Sequence, residues 1–232
     1  MSTRHQQIAL AITLALGAPA GASAQQFGSS YLEGGIAAGF VNDVDKSGKF
    51  TANGRPLTIE TDAGGGAYLT GAWQFRNKLH LFGAYSSGSQ ELEVRDGAST
   101  ATGEFDVVRW RIGLGYTQPW SQTLGLYGRL SLDHAAFKNT RVPGVNLDLD
   151  ARRSGAGGEL GVVWAATPVI QLQGHVRYTA VGKVTTDGSN TFDDDILVGV
   201  SGRWSFRPDM ALVTGYELGK ITTWNLGVRF SF

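Results

Sequence analysis

The segment Trp224-Asn225-Leu226-Gly227-Val228-Arg229-Phe230-Ser231-Phe232 decides the fold. Side chains alternate sides along an extended strand, so Trp224, Leu226, Val228, Phe230 and Phe232 share one face. Asn225, Gly227, Arg229 and Ser231 share the other. The first face is apolar along its whole length and finishes on two phenylalanines, which water would leave bare. A hydrocarbon surround removes that penalty. A strand in the wall of a bilayer-spanning barrel carries an apolar outer face and a polar inner one.

The rest of the chain repeats this pattern between regular punctuation. Four turn-forming clusters, Arg76-Asn77-Lys78, Gln118-Pro119-Trp120-Ser121, Ala166-Thr167-Pro168 and Arg207-Pro208-Asp209, recur at intervals of 42, 48 and 41 residues. Pro, Asn, Asp and Ser end strands and build tight turns. Each interval holds two alternating runs around a longer polar stretch, the outline of an up-and-down barrel with short turns on one side and long loops on the other. The expected strands are 29–40, 64–75, 79–92, 105–117, 123–137, 153–165, 170–181, 192–206, 210–219 and 223–232. This predicts an all-β, antiparallel, ten-stranded transmembrane barrel. An eight-stranded barrel is the alternative, with the first run and the short ninth outside the wall. A repeat near this length also suits a propeller blade, but each interval holds two long runs, not four short ones.

The aromatics fall at the ends of these runs. Phe75, Trp120, Trp164, Trp204, Phe206, Phe230 and Phe232 lie towards the short turns. Phe40, Tyr85, Phe137, Tyr178 and Trp224 lie towards the long loops. Aromatic rings favour the headgroup level of a bilayer, where one part is dry and another wet. Two belts around a band of Leu, Val and Gly therefore suit a membrane barrel better than a soluble sandwich, whose aromatics would belong to a central core.

Met1 to Ala24 reads as a secretory leader: Arg4 in a charged start, an apolar run from Ile8 to Leu16, and Ala22-Ser23-Ala24 before the cut. The apolar run is short of the roughly 20 residues that a spanning helix needs. Removing 1–24 leaves 25–232 as one barrel domain. Cysteine is absent, so neither a disulfide framework nor a thiolate metal site exists. Twenty basic and twenty acidic residues cancel, and no basic run suggests nucleic acid.

The leader, the alternating strands, the turn asymmetry and the terminal Phe232 together resemble the small bacterial outer-membrane barrels of the OmpA/OmpX kind, in a ten-stranded form. The resemblance covers the mature chain and implies an outer-membrane location with both termini periplasmic. It implies that the outer-membrane assembly machinery reads Trp224, Leu226, Val228, Phe230 and Phe232, with Phe75, Trp120, Trp164 and Trp204 in the aromatic belt. Outer-membrane lipid and lipopolysaccharide are the expected partners. A monomer is expected, because closure removes open sheet edges. The resemblance identifies a class, not an activity.

The face opposite the lipid carries Glu33, Arg109, Arg111, Tyr127, Arg129, Asp133, Glu159, Gln171, Gln173, His175, Arg177, Arg203, Asn225 and Arg229. Side chains nearly fill a barrel of eight to ten strands, and buried charges must pair. The expectation is an interlocked arginine–carboxylate network that plugs the lumen. The alternative is a narrow wet path that favours anions. Arginine outnumbers acid, so some guanidinium groups need carbonyls, tyrosines, water or loop carboxylates.

No histidine of the barrel stands two residues from an acid, as in the omptin proteases, or in a His-x-Ser pattern, as in barrel-type lipid A deacylases. His80, His134 and His175 read as wall or lumen residues, and no catalytic residue or cofactor is expected. The long loops are placed at 41–61, 93–104, 138–148 and 182–191, with a short one at 219–222. Lys46, Lys49 and Arg55, beside Asp43 and Asp45, are candidates for lipopolysaccharide phosphates. Asp148, Asp150, Asp187, Asn190, Asp193, Asp194 and Asp195 offer oxygens for a divalent cation, but at no EF-hand spacing, and solvated carboxylates are the simpler reading. The functional expectation is a structural or interaction barrel that presents loops to lipopolysaccharide or extracellular ligands, as adhesins do. A small passive pore ranks second and an outer-membrane enzyme third.

Overall fold

The computed structural model describes residues 30–41, 50–52, 55–76, 78–95, 99–144, 150–185 and 191–232. The leader expected over 1–24 lies outside the described residues, as do the loop positions 43–49, 148 and 187–190. The strands are β1 Tyr31–Val41, β2 Phe50–Ala52, β3 Arg55–Arg76, β4 Leu79–Arg95, β5 Thr100–Pro119, β6 Leu124–Arg141, β7 Ala151–Ala165, β8 Ile170–Thr185, β9 Thr191–Ser205, β10 Met210–Leu218 and β11 Ile221–Ser231. From β3 to β11 each strand pairs antiparallel with the next in sequence. β1 pairs with β11 on one side and with β3 on the other, which closes the sheet. Among the described residues β2 pairs with the far end of β3 alone, and ten strands make the wall. The eight-stranded alternative fails because β1 and β10 each hold a partner on both edges.

The short turns fall where Pro, Asn, Asp and Ser place them. The other end differs from expectation. Much of 41–61 and 93–104 is strand, with Thr58 opposite Arg95 and Arg95 opposite Thr100. Alternation simply continues past the bilayer. Leu92 and Val94 are buried on the inner side of β4, while Glu91 and Arg95 are exposed on the outer side. The composition turned polar on one face only, and that resembled a loop.

Outside, the belt residues Phe75, Trp120, Trp164, Trp204, Phe206, Phe230 and Phe232 are all exposed, as are Phe40, Tyr85 and Tyr178 at the other level. The exposed Leu69, Ile112, Leu130, Leu160, Val176 and Val200 fill the band between them. This surface is stable only in contact with hydrocarbon.

Phe137 does not belong to the belt. It is 5% exposed, with its ring centroid 4.9 Å from Phe105 and 4.8 Å from Phe192. It shares the inner face of β6 with Tyr127, Arg129 and Asp133. With Leu92, Val94, Val181 and Ile221 these rings form an apolar plug inside the barrel, at the long-loop end. Strands that rise beyond the membrane lose lipid on the outside, so the apolar side turns inward.

Phe137 sits between the other two rings of the plug. Phe137→Ala is expected to cost about 3–5 kcal/mol, read as a lower urea midpoint for the refolded protein in micelles. An unchanged midpoint would mean that the plug contributes nothing.

Candidate functional site

The inner face of each strand is set by register, and register brings the charges together. Arg129 lies opposite Glu159, Arg111 opposite Asp133, Glu159 opposite Arg177 and Glu33 opposite Arg229. The lumen is thus built from cross-strand pairs, the elementary stabilising unit of a sheet.

The largest group is a bar across the middle of the lumen. Arg111 Nη1 donates to Glu159 Oε2 at 2.9 Å, and Arg129 Nη1 donates to Glu159 Oε1 at 3.1 Å. Arg111 Nε stands 3.8 Å from Asp133, and Arg177 Nη1 donates to Asp133 Oδ2 at 3.3 Å. Arg177 also forks onto Glu217, with Nε to Oε1 at 2.9 Å and Nη2 to Oε2 at 2.5 Å. His175 Nε2 lies 3.0 Å from the same carboxylate. Five strands, β5, β6, β7, β8 and β10, are tied through these groups. Planar guanidinium forks on carboxylates are the strongest form of such contacts.

A second group locks the closing seam. Glu33 Oε1 accepts from the Tyr68 hydroxyl at 2.9 Å, and Glu33 Oε2 accepts from Arg229 Nε at 2.7 Å and pairs with its Nη2 at 2.6 Å. β1, β3 and β11 are joined here. The Arg229 guanidinium covers the Tyr31 ring at 3.8 Å. Arg111 and Arg129 each stand 5.1 Å from the Phe82 ring. Aromatic faces therefore take up cationic surface that carboxylates do not reach. The imidazoles of His80 and His175 lie where a Cβ on Gly115 and Gly199 would stand. Those two glycines are space for a ring.

All fourteen residues read as inward from the sequence face the lumen. Eight of them, Arg111, Arg129, Asp133, Glu159, His175, Arg177, Glu33 and Arg229, join the two groups, and Gln173 donates to the Tyr127 hydroxyl at 2.6 Å. Arg109 and Arg203 make no hydrogen bond or ion pair with a described residue. Glu217 was missed, although it alternates with the outward Leu212, Tyr216 and Leu218 and the same parity rule would have found it. Phe82 and Tyr68 were missed as cation and carboxylate partners.

The three barrel histidines separate. His80 is buried in the lumen. His134 lies on the outer face, stacked on Trp110 with centroids 5.2 Å apart, its Nδ1 2.8 Å from the Ser154 hydroxyl. No described carboxylate reaches the other nitrogen of that ring. Asp193 pairs with Arg153 and Lys183, each at 3.4 Å, and Asp195 accepts from the backbone N–H groups of Ile196 and Lys220. These carboxylates are committed to cations and backbone. Among the described residues no cluster of three or more His, Cys, Asp or Glu could hold a metal.

Glu159 holds two arginines at once and is 4% exposed. Glu159→Gln is expected to cost about 3–5 kcal/mol, because breaking a buried pair strands the remaining charges. Arg203→Gln should cost far less, because it breaks no ion pair. Equal urea midpoints for the two variants would contradict the pairing described.

The comparisons with known proteins agree with this architecture. The chain matches the outer membrane protein beta-barrel domain family over residues 8–232. No curated protein matches it in sequence. Among solved structures it is similar to the outer-membrane protein OprG from Pseudomonas aeruginosa, at 15% identity and a TM-score of 0.50, covering 88% of this chain and 96% of that one. It is also similar to the translocator domain of the autotransporter NalP from Neisseria meningitidis, at 12% identity and a TM-score of 0.46, covering 98% and 95%. The attachment invasion locus protein Ail of Yersinia pestis, solved in complex with a heparin analogue, aligns at 15% identity and a TM-score of 0.38, covering 89% and 100%. With its closed ten-stranded wall, lipid-facing apolar band and match over nearly the whole chain, this protein belongs to the family of outer-membrane β-barrel proteins.

Proposed function

We propose that the protein is a closed outer-membrane scaffold that works through its outer surface and rim, not as a pore. The single observation that carries this reading is the double obstruction of the lumen. The charged bar crosses it at mid-height, and the Phe105–Phe137–Phe192 plug fills it above. A passive pore needs a continuous polar path, and an apolar constriction opposes hydration.

The rim supports an interaction role. The wall is uneven: β3 runs for 22 residues and β10 for 9. The strands from β3 to β6 therefore stand above a low lip at β10 and β11. Beyond the belt the tall wall is fastened by polar pairs. Asn139 and Ser89 donate to Asp106 at 2.7 and 3.1 Å, and these bonds hold its carboxyl below the ordinary range.

Lys138 and Arg152 stand exposed on the adjacent strands β6 and β7, just beyond the Trp110–His134 stack. Neither makes an ion pair with a described carboxylate. This is the height at which lipid A phosphates would meet a barrel, and two free cations on one patch suit that chemistry better than a solvated rim alone. Lys46 and Lys49 of the first loop belong to the same proposal. In this reading the leader is removed, both termini are periplasmic, the last strand is handed to the assembly machinery and the barrel works as a monomer. The reading assigns no catalysis to the chain.

Planar-bilayer recording of the refolded mature protein tests the closed lumen. The expected result is insertion without discrete conductance steps, and reproducible anion-selective steps would replace this reading with the pore. For the rim, replacing both Lys138 and Arg152 with Gln should abolish most of the extra thermal stability that lipopolysaccharide gives over neutral phospholipid. An undiminished gain would remove the phosphate role of this patch.

A further inference from the structure

Between the two obstructions the lumen widens into a partly open chamber. Its volume is about 210 Å³, and Arg111, Asp133, Arg177 and Glu217 of the bar form its floor. Val181, a plug residue, is part of its roof. Arg109 faces this space from β5. Its guanidinium makes no hydrogen bond or ion pair with a described residue. The carboxylates of Asp133 and Glu217 act on it only at longer range, and the cations of Arg177 and Arg111 oppose it. Both carboxylates are already held by Arg177.

The charge balance of the chamber follows directly. Three guanidinium groups, Arg109, Arg111 and Arg177, face two carboxylates, Asp133 and Glu217. One positive charge is left over, and it sits on Arg109. A single negative charge neutralises the chamber, whereas a dianion overshoots. The guanidinium fork matches two coplanar oxygens. The Ser86 and Thr223 hydroxyls line the same space and make no hydrogen bond with a described residue.

A smaller cavity of about 70 Å³ adjoins the chamber and shares Ala37, Ser86, Arg109 and Thr223 with it. Its remaining walls are mostly small or apolar, including Gly39, Gly64, Gly66, Val107 and Ile221. It lies where the β1–β3 ladder ends, at the Gly39–Gly64 pair. A charged head on Arg109 would thus point its substituent into an apolar slot a few carbons deep.

We infer that the lumen holds a binding site for a short-chain organic monocarboxylate, with the carboxylate on Arg109 and the alkyl tail in the slot beside Gly39. Inorganic dianions fit neither the charge nor the slot. The site goes beyond the scaffold reading and does not depend on it, because binding is read at equilibrium whether or not the lumen conducts.

The test is titration of the refolded mature protein in micelles with ¹³C-labelled butyrate, followed by NMR. The wild type should bind one butyrate per barrel saturably. Butyramide, the neutral isostere, should not bind, and sulfate should not compete. Arg109→Gln should weaken butyrate by about tenfold or more, Arg109→Lys should restore part of it, and Arg203→Gln, outside the chamber, should leave it unchanged. A Cβ on Gly39 meets nothing within 4 Å, so the backbone leaves room for a side chain to enter the slot at this position, as in Gly39→Leu. It should weaken butyrate while sparing acetate, and it tests the site even if Arg109→Gln fails to fold. Absence of saturable butyrate binding, equal binding of butyramide, tighter binding of sulfate, or full binding by a folded Arg109→Gln variant would each overturn the proposal.

Discussion

Hydrocarbon offers no hydrogen bonds, and every other feature of this protein depends on that. A sheet edge in lipid would leave a row of N–H and C=O groups unsatisfied, so the strands must close on themselves. Closure at ten strands fixes a lumen that is narrow but not empty. The inner faces, screened from lipid, then hold the polar residues, and the low dielectric around them makes pairing compulsory. The bar through Glu159, Asp133 and Glu217 is the result, and it converts ten separately paired strands into one cross-braced body. Arginine serves here because its fork ties two carboxylates at once while its flat face rests on Phe82, Tyr127 or Tyr31.

The wall was legible in the sequence because period two is a strong signal when one side faces lipid. Ile112, Leu114 and Tyr116 against Arg109 and Arg111 leave little room for another reading. The inner residues followed from parity alone. Parity also explains the failures. Phe137 was placed by its level along β6, among residues near the headgroups, although its parity matches Arg129 and Asp133. Level and side are independent coordinates, and only the second tells a ring whether it meets lipid or lumen. Glu217 had the right parity and was passed over in a short strand. Which arginine takes which carboxylate was not legible, because that depends on the stagger between strands. Nothing in the sequence distinguishes Arg109 from Arg111, two residues apart on the same face, yet Arg111 pairs with described carboxylates and Arg109 with none of them.

The long strands beyond the membrane were hidden for a related reason. Inside the bilayer the outer face is apolar and the inner face polar. Beyond it the outer face meets water, and the inner face of β4, with Leu92 and Val94, turns apolar. The pattern keeps its period but reverses its sense, and a stretch read for composition then looks like a loop. The same reversal produces two seals of opposite chemistry in one lumen. The charged bar is held by directional contacts among the strands that tie it, and the plug by apolar burial. Salt weakens the exposed polar fastenings of the rim far more than it weakens either seal.

Glu33 and Arg229 pair across 196 residues of chain, at the seam where the first and last wall strands meet. Joining strands that far apart in the chain is entropically expensive, and it becomes less so once neighbouring hairpins have formed. A slip of two residues at that seam would preserve the inside and outside of every side chain, so the hydrophobic pattern cannot detect it. The ion pair can. In a slipped register Arg229 would face Tyr31 or Gly35, and Glu33 would be left in the lumen without its cation. The pair thus separates the native closure energetically from slipped closures that lipid alone would accept.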